Sequence, residues 1–139
     1  PYLPNSLFDE EIIRLENKLQ SGIVSSVWIQ FGTDYELLKN RIKRLLHIIS
    51  AAIKNNSKIS NVLLFGSILI PSPQFLARFK YRPWKGVYCS REFLESVDLA
   101  DDLIAKLLRT YKQFSIQPIV ETNTSTDKNF KKLISTLYT

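Results

Sequence analysis

The sequence holds one cysteine, one histidine, four glycines and no methionine in 139 residues. Cys89 alone excludes an internal disulfide framework, and a single histidine leaves too few ligands for a zinc cluster. The scattered glycines form no Walker loop, no GxGxxG and no GxSxG, so a Gly-rich phosphate cradle is not expected. Long apolar runs are also lacking. The longest, Val62 to Ile70, is interrupted by Gly66 and Ser67 and has about half the length of a membrane span. Pro1-Tyr2-Leu3-Pro4 does not read as a secretory signal, and a chain opening on proline without any methionine reads as a processed or cut product. A soluble chain in a reducing, cytoplasmic compartment is therefore expected. Acidic residues are outnumbered, and the net charge of +6 invites an acidic partner without identifying one.

What is present reads as one unit over residues 1–139, without repeats, low-complexity tracts or a Gly/Ser linker. Ser6 and Asp9 have capping-box spacing, and Phe8, Ile12, Leu15 and Leu19 recur at helical intervals up to Gly22, suited to a left-handed C-terminal residue. Ser25 to Phe31 has strand composition, with Val27, Ile29 and Phe31 on one face and Trp28 and Gln30 on the other. Thr33 and Glu36 form a second capping-box pair before a long helix reaching about Asn55, striped by Leu38, Ile42, Leu45, Ile49 and Ile53. Asn61 to Ile70 is a second strand, apolar on both faces and so expected to be covered on both. Ser72 before Pro73 starts a short helix, Lys85 to Cys89 reads as a brief strand, and Ser90 caps a helical turn. A longer helix from about Val97 to Phe114, a third strand from Ile116 to Glu121, a polar loop and a last helix from Asp127 to Leu137 complete the chain. This alternation predicts an α/β fold of parallel βα units. Two architectures fit: a small doubly wound sheet, or part of a (β/α) barrel. In either, function belongs at the carboxyl ends of the strands.

Gln30 is the most informative residue there. An amide near the end of an otherwise apolar strand needs partners, either a polar heterocycle in a pocket or neighbouring protein groups. Glu121 ends the third strand; pairing with a lysine or capping a helix is expected of it before acid–base chemistry. Asp34 is expected to start a helix, His47 to flank one, and Cys89 to be a buried or semi-buried thiol. Segment 78–88 interleaves Arg78, Lys80, Arg82 and Lys85 with Phe79, Tyr81, Trp84 and Tyr88. Such a pattern suits single-stranded nucleic acid, but the expectation is that the rings pack inward under the cationic stems.

The succession Leu15, Lys18, Gly22, then Val27-Trp28-Ile29-Gln30-Phe31-Gly32-Thr33-Asp34, resembles methylenetetrahydrofolate reductase. In that family a helix of form L-x-x-K-x-x-x-G leads to a strand reading ITQFFFD. More weakly, Leu64 to Ser72 is similar to the family's next strand, and Ile119-Val120-Glu121-Thr122-Asn123 stands where the family has FYTLN. The resemblance covers nearly the whole chain in element order. It implies the C-terminal half of a (β/α)8 TIM barrel that binds FAD and passes a hydride from NAD(P)H to 5,10-methylenetetrahydrofolate. Gln30 matches the family's residue contacting folate and nicotinamide at the flavin face. Lys18 matches a lysine of the FAD site, and Glu11 an acid of that site where the family has aspartate. The family's catalytic glutamate and its aspartate near flavin N1 belong to the N-terminal half, so no catalytic residue is expected in this segment. A half-barrel exposes two sheet edges, which implies pairing with the other half or self-association. The alternative is a non-catalytic, barrel-derived module that binds nucleic acid or a protein partner through residues 78–88.

Overall fold

The computed structural model describes residues 2–121 together with 127, 131, 134 and 135. The expected loop over residues 122–126 and most of the expected last helix lie outside the described residues. Helix α1 (Asn5–Gln20) leads into strand β1 (Ser26–Ile29), and α2 (Tyr35–Asn55) crosses to β2 (Leu63–Leu69). Three helices follow: α3 (Pro73–Tyr81), α4 (Arg91–Glu95) and α5 (Val97–Gln113), before β3 (Gln117–Glu121). The strands form one open, all-parallel sheet in the order β1-β2-β3, with Trp28 opposite Phe65 and Phe65 opposite Gln117.

Sequential order matters more than strand number. Right-handed crossovers that always step the same way put their helices on the same face of the sheet. Burial follows that rule. Ile29, Leu64 and Ile68 are buried, Val27 is half-buried, and Tyr111 of α5 lies against Gly66 on the same face. On the opposite face Trp28 is 67% exposed and Leu63 47%, while Gln30 and Gln117 are exposed. Trp28 there meets Phe65 of β2, with ring centroids 5.4 Å apart, and Ser26, whose Oγ accepts from Trp28 Nε1 at 3.1 Å. The second strand is thus covered on both faces, as expected, over its carboxyl half, where Ser67 and Leu69 of the Trp28 face are buried, whereas Leu63 at its amino end stays open. From Gly66 to Leu69 every residue is buried.

Helix ends show which local signals won. Gly22 takes φ +76 and donates to Leu19 O at 3.0 Å, closing α1 as its position predicts. The expected Ser6 box is not used: α1 starts at Asn5, after Pro4, with no side-chain cap. At α2 the cap is Asp34, accepting from Leu37 N at 2.8 Å, rather than Thr33. Thr33 instead accepts from Ser90 N at 2.8 Å, tying the end of the first βα unit to the start of α4. Ser72, Ser90 and Ser96 cap α3, α4 and α5 through the backbone N–H of Phe75, Phe93 and Leu99; such caps contribute about 1 kcal/mol each. The expected strand Lys85–Cys89 shrinks to one parallel bridge between Gly32 and Tyr88. Among the described residues no helix is long and apolar enough to cross a membrane.

Candidate functional site

The carboxyl ends of β2 and β3 open into a cleft of about 370 Å³ lined by Leu69, Ile70, Gln74, Phe75, Arg78, Phe79, Trp84 and Glu121. Its wall is built by α3. Pro73 in the first turn and the Ser72 cap aim that helix away from the strand end. Phe75 and Phe79, four residues apart, then share one face, with ring centroids 5.5 Å apart. Trp84 meets Phe75 edge-on at 5.3 Å and Phe79 at 6.2 Å, leaving the indole 52% exposed at the cleft mouth.

Opposite this aromatic wall stands Glu121. Among the described residues neither a lysine nor a helix end holds it, although its sequence position had suggested one of these. Ser67 Oγ donates to Glu121 Oε1 at 2.6 Å from the neighbouring strand, a pairing that needs both residues on the same face of the sheet. The β2–β3 register puts them there: Ser67 pairs with Ile119 and Leu69 with Glu121. This fixes one carboxylate oxygen; the other has no hydrogen-bond partner among the described residues and can accept from a ligand bearing N–H or O–H donors. Arg78 is exposed along the same cleft and forms no ion pair among the described residues.

Gln30 lies just beyond β1, exposed, on the bare face with Trp28. Its amide makes no hydrogen bond among the described residues. Lys18 and Glu11 share one face of α1, two turns apart, but they stand away from Gln30. Lys18 is in the last turn of α1, at the end where Asn56 Nδ2 donates to Gln20 O at 3.0 Å. That is the amino edge of the sheet, whereas Gln30 is at the carboxyl edge. Glu11 is held by Arg14 at 3.1 Å and borders a narrow apolar groove with Leu15 and Trp28. The structure therefore groups Gln30, Ser67 and Glu121 on one face near the carboxyl rim and leaves Lys18 and Glu11 elsewhere.

Three other candidates take ordinary places. Asp34 caps α2, and His47 is exposed on the flank of α2 beside Glu16 and Gln20 of α1. Cys89 is half-buried, and burial pushes its thiol up to about 12, which leaves it protonated and unreactive near neutrality. No cluster of three or more metal-ligating side chains occurs among the described residues. Sequence reasoning missed Ser67, Arg78 and Trp84 as cleft residues. No signal within either strand could have paired Ser67 with Glu121, because their common face depends on the β2–β3 register, and none showed the return of Trp84 onto α3.

No family model, no curated protein and no solved structure matches this chain. The class that fold and site define is a parallel α/β protein with a cleft at the carboxyl ends of its strands, the usual ligand position in such sheets.

Proposed function

We propose that this chain is the C-terminal part of a (β/α)8 barrel that works as a flavin-dependent reductase resembling methylenetetrahydrofolate reductase, in the cytoplasm. The observation that carries the reading is the one-sided sheet. Parallel strands are normally covered on both faces. A doubly wound protein covers the second face with helices, whereas a barrel turns it inward onto its own core. Here the strand order is sequential, and α5 lies on the Gly66 face with α2 packed beside it. Trp28, Leu63 and Gln30 stand exposed on the other face, which is covered at Ser67 and Leu69 but open along β1. Further parallel strands beside β1 and β3 would enclose that face and place Gln30 and the Glu121 cleft together at the barrel mouth.

The residues present fit the ring end of a flavin nucleotide and not its phosphate end. Gln30 offers a free amide, donor and acceptor together, to the edge of a heterocycle at the strand ends. Lys18 and Glu11 do not converge on that position, so the FAD contacts that the resemblance implies for them have no support from their placement. When bound, the flavin supplies hydride transfer between NAD(P)H and the folate, and the protein's part is to position and polarise. Gln30 would orient a ring, while the aromatic wall of α3 would keep water from it.

Flavin content tests the proposal. The protein purified at its natural length is expected to carry FAD, visible in its absorption spectrum. Gln30→Ala is expected to reduce methylenetetrahydrofolate turnover about tenfold while changing stability by less than about 0.5 kcal/mol, as exposed positions do. No flavin spectrum, and no spectral change on adding FAD, would overturn the reading.

A further inference from the structure

Residues 78–91 contain Arg78, Lys80, Arg82, Lys85 and Arg91 with no acidic residue between them. Nearly all of the chain's net charge of +6 is thus matched within one short stretch. The stretch is pinned at both ends. Arg82 N donates to Arg78 O at 2.8 Å where α3 stops, and Thr33 N donates to Tyr88 O at 2.9 Å beyond β1. Between them Val87 N donates to Trp84 O at 3.2 Å around Gly86, whose φ of +85 suits the turn.

The rings pack inward only in part, through Phe79 and the edge of Trp84 that meets Phe75 and Phe79. Phe79 alone is buried; Tyr81 is 87% exposed, Trp84 52% and Tyr88 58%. Three large rings within eight residues therefore face water on a segment held at both ends. The cations are equally uncommitted: Arg78, Lys80, Arg82 and Lys85 form no ion pair or side-chain hydrogen bond among the described residues. Lysine and arginine stems covering the rings would have lowered those exposures, so the expected shielding is absent here.

We propose that this rim binds single-stranded nucleic acid, with bases stacked on Tyr81, Trp84 and Tyr88 and phosphates held by the interleaved cations. Base stacking and backbone neutralisation are the two recurring elements of such surfaces. An acidic peptide would neutralise the cations and leave the rings in water. A duplex offers phosphates but hides the faces of its bases. A single strand uses both features at once, and a segment already pinned loses little freedom when it binds.

The test uses the chain as it stands and a fluorescent mixed-sequence RNA of about twelve nucleotides, a length within the usual site size. Four phosphate contacts at a slope of about −0.7 each predict binding that weakens on the order of 50-fold between about 50 and 200 mM salt. Tyr81→Ala combined with Tyr88→Ala should weaken binding about 100-fold, roughly tenfold per ring, at an unchanged salt slope. Arg82→Glu combined with Lys85→Glu should abolish it. All four positions are exposed and outside the Glu121 cleft, and circular dichroism verifies that each variant is folded. Flavin content is read separately, so failure here and failure of the reductase reading are distinguishable. No binding at low salt, equal affinity for duplex, or indifference to loss of both rings would overturn the proposal; the last would mean diffuse charge attraction only.

Discussion

Gly66 sits in the middle of β2 with Tyr111 of α5 laid against it. A Cβ added there would come within 2.3 Å of Tyr111 Cζ and 2.7 Å of its hydroxyl oxygen. Tyr111 is 1% exposed and donates from that hydroxyl to Ser67 O at 3.0 Å. Gly66→Ala must therefore push the ring off the sheet. Overpacking of this kind costs about 1–3 kcal/mol, and the lost hydrogen bond adds about 1 kcal/mol. The sum, about 3 kcal/mol, should appear in urea unfolding as a lower midpoint with an unchanged slope. In a Tyr111→Leu background the obstruction is gone, and Gly66→Ala should be close to neutral, giving a coupling of about 2–3 kcal/mol. The consequence reaches the cleft, because Ser67 accepts from Tyr111 through its backbone and donates to Glu121 through its side chain. A cost under about 0.5 kcal/mol in the parent chain, against the overpacking range, or the same cost in both backgrounds, would refute the reasoning.

Three further perturbations probe the fold. Tyr2 is 6% exposed, its hydroxyl lacks a hydrogen-bond partner among the described residues, and burial raises its pKa. Tyr2→Phe should therefore stabilise the chain by about 1 kcal/mol in thermal unfolding; a loss of stability would show that the hydroxyl is satisfied. Arg41 donates to Leu3 O at 2.5 Å and Asn5 Oδ1 at 2.8 Å, with its guanidinium 4.3 Å from the Phe8 ring centroid. Arg41→Met keeps the stem but removes these bonds, and should cost about 2–3 kcal/mol and expose residues 2–8 to protease. Parent-like stability and cleavage would contradict that anchoring role. Cys89, with its thiol pushed up to about 12 by burial, should be alkylated at pH 8 at least about 100-fold more slowly than in the unfolded chain. Its rate should keep rising with pH well past the ordinary thiol range; a plateau near pH 9 would contradict the burial.

The sequence made the α/β alternation legible because its signals were local and chemically strong. Ser72 before Pro73 and Ser90 each sit where a backbone N–H needs an acceptor, and each provides one. Thr33 misled because a long-range partner, the start of α4, claimed its hydroxyl and left Asp34 to cap α2. Gln30 was legible as an amide at a strand end, and the structure leaves it exposed at the carboxyl rim. Glu121 was legible only as a carboxylate, since its partner Ser67 is fixed by strand register, which adjacent residues do not encode. The exposure of Trp28, Tyr81, Trp84 and Tyr88 could not be read either. Hydrophobic composition says that a ring prefers burial, not whether a surface exists to bury it.

That bare face is the centre of the account. The most direct test is an experimental structure of the protein at its natural length, inspected at the free edge of β1. A parallel strand paired to Ser26–Ile29, with Trp28, Leu63 and Gln30 turned into a closed barrel, is the predicted result. Helices packed across Trp28 and Leu63 would make the sheet doubly wound and contradict it.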